Sequence, residues 1–139
     1  MIRRIDHVGI AVRDLEKQTA FYRDVLGLEF EGFEDLPDRG LRIGVFNVGG
    51  VHIELLQPTV QDNAVAKFIE KSGEGIHHLA FTVDDTAAEL ERLTAAGVQA
   101  IDAKPRSGAG GAQVAFLNPK STFRVLMELC EHPEGTMPR

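Results

Sequence analysis

The sequence predicts one α+β domain assembled from two tandem β-α-β-β-β modules. Three observations lead there: an internal repeat, a pair of identically framed helices, and strand-like alternation closing each half. Length sets the frame, because 139 residues is the size of one ordinary domain. Apolar residues at 43% and charged residues at 26% allow a buried core and exclude a disordered or collagen-like chain.

The repeat comes first because missing one miscalls the fold. Residues 5–14 read IDHVGIAVRD and residues 76–85 read IHHLAFTVDD. At one constant offset Ile5 pairs with Ile76, His7 with His78, Val12 with Val83 and Asp14 with Asp85. Each segment leads into a helical stretch, LEKQTAFYRDVL before Gly27 and TAAELERLTAA before Gly97. Asp14 and Asp85 stand where a carboxylate caps the first free N–H groups, and each glycine stands where a left-handed residue ends a helix. LEFEGFE, LRIGVFNV and VHIELLQ then supply strands in the first half, and VQAID, AQVAFL and FRVLMELC in the second. Module one is expected over 4–58, a linking helix within 59–74, module two over 75–131, and an unstructured tail over 132–139 carrying no functional signal. Halves of this size are too small for independent cores, so a single domain is expected.

Charge and cysteine content narrow the partners. With 15 basic and 21 acidic side chains the formal charge is −6, and no basic stripe is present for a nucleic acid. Cys130 is the sole cysteine, so an internal disulfide and a CxxC clamp are excluded, and any metal must be held by histidine and carboxylate oxygen. The first ten residues, MIRRIDHVGI, hold no apolar stretch of signal-peptide length, and nowhere do 18 apolar residues run together. A soluble cytoplasmic protein with no membrane partner is expected.

Alternation sorts the polar residues. In IDHVGIAV one face carries Val8, Ile10 and Val12, and the other carries His7, Gly9 and Ala11; in the second copy His78, Ala80 and Thr82 stand opposite Leu79, Phe81 and Val83. A histidine followed by small residues leaves room for a ligand. Glu54 in VHIELLQ shares a face with His52 and Leu56, and Glu128 in FRVLMELC shares one with Leu126 and Cys130. Burying such a carboxylate is costly unless it is paired or bound to a metal. A single strand histidine is ordinarily just hydrogen-bonded, and a single glutamate just solvated. Here one of each per repeat makes His7, Glu54, His78 and Glu128 a four-ligand N/O set for a divalent ion, with positions left open for substrate. His77 adjoins His78 but does not align with His7. His52 lacks a counterpart and His132 falls in the tail, so both are read as non-ligands.

IDHVGIAV, IELL, HHLAF and VLMEL together resemble the vicinal oxygen chelate superfamily, over nearly the whole chain from Ile5 to about Glu131. Within it, the stretches IDHVGIAVRDLEKQTAFYRDVLGL, GIHHLAFTVDD, SGAGGAQVAFLNPKS and VLMELCEHP are most similar to the methylmalonyl-CoA epimerase family. The resemblance implies a half-open β-barrel around a metal site, with ligands on the same four residues. It implies interconversion of (R)- and (S)-methylmalonyl-CoA by proton abstraction at C2, an acyl-CoA substrate and a homodimer. It suggests cobalt, with manganese, nickel or zinc as alternatives. By analogy with related metalloenzymes of this fold, Glu128 is the first candidate acid/base and Glu54 the second. Arg106, Gly110, Gly111, Lys120 and Ser121 are candidate contacts for the CoA phosphates, the glycines because they let backbone N–H groups approach an anion. Two departures stand out. The segment Asn118 to Arg124 replaces a glycine-rich stretch common in these epimerases, and Ile43 occupies a position where one branch has a glutamate proposed as a base. Alternative functions in this superfamily are a glyoxalase I-type lactoylglutathione lyase and a non-enzymatic small-molecule binder.

Overall fold

The computed structural model describes residues 1–133. Its contacts cluster into two compact units, one of Val8–His77 and one of Met1–His7 with the residues from His78 onward. Strands β1 (Ile2–Ala11) and β5 (Gly75–Val83) each contribute residues to both.

In the unit of residues 8–77, β2 (Glu29–Leu36), β3 (Leu41–Val48) and β4 (Val51–Pro58) form an antiparallel meander. β2 alternates exposed and partly buried residues, while β3 and β4 carry the β-branched residues and are largely buried. Between β1 and β2 comes α1 (Leu15–Ala20), capped by Asp14, whose side chain accepts the Lys17 N–H. The sequence led us to expect an α-helix up to Gly27. Instead the helix widens into a π-turn over Phe21–Val25, where the Leu26 N–H reaches back to the Phe21 carbonyl. Val12, Leu15, Phe46 and Leu55 form the core here, with Tyr22 and Phe30 against them. Helix α2 (Ala64–Ser72) lies in the expected linker and is capped by Asn63.

The other unit contains the start of β1 beside β5, followed by β8 (Met127–Glu131), β7 (Gln113–Leu117) and the two-residue β6 (Arg106–Ser107). Strands β5 and β8 run parallel with Ala80 opposite Glu128, while β7 and β8 run antiparallel with Phe116 opposite Glu128. Helix α3 (Thr86–Ala95) is capped by Asp85, and buries Leu90 against Val83, Ala115, Leu117 and Leu129.

Three expectations for this unit need correction. VQAID does not form a strand: it touches β7 through one bridge, Ala100 to Leu117, and the Asp102 carboxylate accepts the Phe116 N–H that a strand carbonyl would otherwise take. The last strand begins at Met127 rather than Phe123, because Phe123 and Arg124 have left-handed backbones (φ 56° and 74°) inside a turn closed by the Arg124 N–H on the Pro119 carbonyl. His132, assigned to the tail, is tied to Asp6. The remainder of that tail, 134–139, lies outside the described residues.

Two stability predictions follow from these details. Asp85→Ala removes the α3 cap and lowers unfolding free energy by about 1 kcal/mol in a urea titration. Phe123→Gly raises it by up to about 1 kcal/mol, since the ring is 94% exposed and the left-handed backbone is strained for any residue with a Cβ.

Candidate metal centre

Three side chains from three strands converge in the unit that contains β7 and β8. His7 Nε2 lies 3.1 Å from His78 Nε2 and 2.9 Å from Glu128 Oε1, and His78 Nε2 lies 3.1 Å from the same oxygen. The two imidazoles meet edge to face, 87° apart. All three residues are buried.

The local sequence explains the convergence. His78 comes from β5 and Glu128 from β8, and the parallel register aligns Ala80 with Glu128. Phe116, opposite Glu128 on β7, sets its ring against His78 at 5.3 Å and 85°, which limits how the imidazole can rotate. Its neighbour His77 instead packs on Phe68 in the other unit, as alternation along β5 requires.

The protonation of His7 is fixed from behind. Its Nδ1–H donates to Asp6 Oδ1 at 2.7 Å, leaving Nε2 with a lone pair directed at His78 and Glu128. Asp6 also accepts from Thr82 Oγ1 at 2.7 Å and from His132 Nε2. Burial raises the Asp6 pKa, but hydrogen bonds from His132, His7 and Thr82 more than offset it and hold the group far below the usual carboxylate range. Burial likewise opposes ionisation of Glu128, and positive charge shared with the His7 and His78 nitrogens overcomes it, so its pKa is also strongly lowered.

The cluster thus presents an imidazole lone pair and a buried carboxylate, with a second imidazole beside them. Such electron-rich groups face one another stably only around positive charge. Bonds of about 2.1 Å at right angles put ligand atoms about 3.0 Å apart, which is the spacing found among these three. Two imidazoles and a carboxylate suit zinc, cobalt, nickel or manganese. The donor set fits a divalent metal.

The other expected site residues are distributed as follows. Glu54 is buried on β4, in the unit of residues 8–77. His52 on the same strand faces Glu31, with 3.0 Å between His52 Nε2 and Glu31 Oε1. Arg106 on β6 is half exposed, pairs with Asp102 at 3.4 Å and holds its guanidinium 5.8 Å from the Phe116 ring centre. Gly110 and Gly111 adopt positive φ in the turn before β7. Lys120 is exposed in the turn after β7, where its N–H bonds to Asn118, and Ser121 Oγ accepts the Gln99 N–H. Sequence reasoning missed Asp6 and His132. The signal for His132 was alternation, since 128, 130 and 132 share one face of an extended chain.

Comparison with known proteins places this geometry in context. The family model described as Glyoxalase/Bleomycin resistance protein/Dioxygenase superfamily matches residues 6–116. The ethylmalonyl-CoA/methylmalonyl-CoA epimerase of Cereibacter sphaeroides is 40% identical over 131 residues, covering 93% of this chain and 98% of its own. The mitochondrial methylmalonyl-CoA epimerase of Homo sapiens is 37% identical, covering 91% of this chain and 72% of that protein. Among solved structures, a variant of the Streptomyces coelicolor methylmalonyl-CoA epimerase in complex with 2-nitronate-propionyl-CoA superimposes with a TM-score of 0.92 at 36% identity, over 96% of this chain and 97% of that one. The chain therefore belongs to the Glyoxalase/Bleomycin resistance protein/Dioxygenase superfamily and has its α+β fold.

Proposed function

We infer that the protein is a methylmalonyl-CoA epimerase, interconverting the (R) and (S) thioesters at C2. The observation that carries this is the convergence of His7, His78 and Glu128 in a chain that matches epimerases along almost its full length.

The hydrogen at C2 is weakly acidic, and its removal leaves charge on the thioester oxygen. A divalent ion, when bound, supplies Lewis-acid stabilisation of that oxygen. Such an ion would be held by His7, His78 and Glu128, and we add Glu54 as a fourth ligand on the strength of the repeat. Inverting the centre requires a proton to leave one face and another to arrive on the opposite face. Our assignment gives these roles to Glu128 and Glu54, each through the carboxylate oxygen that does not face the ion: the C2–H bond breaks, one carboxylate takes the proton, and the other, protonated on that oxygen, delivers one to the far side. One turnover exchanges the protonation of the two carboxylates, which poises them for the reverse reaction, and proton exchange with solvent resets them for another forward turnover. For the CoA portion we assign Arg106, Lys120, Ser121 and the backbone of Gly110 and Gly111.

We assign cobalt as the native ion and a homodimer as the working assembly, both supported by family likeness, and the cytoplasm as the compartment, supported by the lone thiol. The described residues form no helix long and apolar enough to cross a membrane. Modules 4–58 and 75–131 are proposed to act as one domain.

The direct test follows metal-stripped and cobalt-restored protein with single-enantiomer methylmalonyl-CoA in D₂O. Metal-dependent loss of enantiomeric purity with deuterium gained at C2 is expected; turnover of a glutathione hemithioacetal in place of the CoA ester would overturn the substrate. Glu128→Gln should lower the exchange rate by a factor on the order of 10² or more, with cobalt content measured alongside to separate proton transfer from metal loss. Lys120→Glu should raise KM for the CoA ester while leaving cobalt content and kcat unchanged.

A further inference from the structure

Behind the three converging ligands lies a second layer of polar groups that the proposed chemistry does not use. Thr82 lies four residues beyond His78 on β5, and His132 four residues beyond Glu128, just past the end of β8. Alternation keeps each on the face of its own ligand, two same-face steps further along parallel strands in which Thr82 stands opposite Cys130. The Asp6 carboxylate receives both. It accepts from Thr82 Oγ1 and His132 Nε2 on one oxygen, and from His7 Nδ1 on the other. Asp6 is 2% exposed.

We propose that Asp6 and His132 are positioning residues for the ligand histidine His7, with Thr82 as the third anchor of the Asp6 carboxylate. The bond from His7 Nδ1 holds the imidazole in the tautomer whose Nε2 carries a lone pair, and limits rotation of the ring. His132 and Thr82 fix the carboxylate in turn, so that the end of β8 supports a ligand borne on β1. A buried carboxylate with one partner would be free to turn away; with three donors its orientation is set.

Cys130 complicates the picture, since its sulfur lies 3.7 Å from His132 Nε2, and Asp6, Cys130 and His132 offer three ligand atoms within 4.8 Å of one another. A second, thiophilic ion is the competing occupant of this layer. The hydrogen bonds argue against it: both Asp6 oxygens already accept, and His132 directs its Nε2 proton at Asp6, so the group is satisfied without a cation.

The inference rests on the reading of His7, His78 and Glu128 as metal ligands, and the experiment separates the two. Cobalt affinity is measured by competition with a chelating dye for the parent protein, His132→Ala, His132→Gln and Thr82→Val, with melting of each metal-free protein recorded in parallel. His132→Ala is expected to weaken cobalt binding by about 10-fold, at the lower end of what such supporting partners contribute. His132→Gln, whose amide N–H can still donate to Asp6, is expected to recover most of that loss, and Thr82→Val to show a smaller one. Affinities for His132→Ala and Thr82→Val that both stay within about twofold of the parent would overturn the proposal, whatever happens to the melting temperature. Two cobalt ions per chain, one of them lost in His132→Ala, would overturn it in favour of the second ion site. A parent protein that binds no cobalt would remove the metal reading itself, and this proposal with it.

Discussion

The arrangement of the second compact unit depends on the buried, ionised carboxylate of Glu128. Taking a carboxylate out of water costs several kcal/mol unless opposite charge or good hydrogen bonds replace the lost hydration. Here the replacements are two imidazole nitrogens about the same distance away, at 2.9 and 3.1 Å. A cation among the three groups would take one ligand atom from each. Much of the surrounding structure serves this requirement. The parallel register of β5 and β8 brings His78 to Glu128, the Phe116 ring confines His78, and Asp6 orients His7. Stability and the proposed function therefore meet at one point, because the group that is costly to bury is one of the three that offer a ligand atom to a metal ion.

The supporting framework is ordinary by comparison. Aspartate caps start α1 and α3, apolar residues from one face of each strand make the cores, and tight turns join the strands. Among the described residues, the one segment with left-handed non-glycine backbone is the turn before β8, at Phe123 and Arg124. This is where the sequence departs from the glycine-rich stretch common in the epimerases it resembles. Nothing in the hydrogen bonding of that turn requires a phenylalanine.

Much of the converging cluster was legible in the sequence because duplication repeats the histidine. His7 and His78 are equivalent by offset, and Glu128 follows from alternation of an acid with apolar neighbours. The same signal could not reveal Asp6, whose counterpart at the constant offset is His77, a residue turned toward Phe68. His132 was hidden because it follows the last apolar run and has proline and glycine after it, which reads as a tail; only its place two residues beyond Cys130 on the face of Glu128 marked it. Helix positions were legible through their caps, whereas the π-turn at Phe21–Val25 has no local signature, since it is set by how Leu28 and Tyr22 enter the core. The missing strand at VQAID shows the opposite failure. Its composition suits a strand, but Asp102 bonds to the neighbouring backbone with its side chain and displaces the ladder.

The measurement that bears most directly on this account is cobalt X-ray absorption on the metal-loaded protein. The account predicts one ion per chain whose coordination shell contains two imidazole nitrogens and at least one carboxylate oxygen, with one imidazole lost in His78→Ala. A chain that binds no ion, or a shell containing sulfur or fewer than two imidazoles, would contradict it.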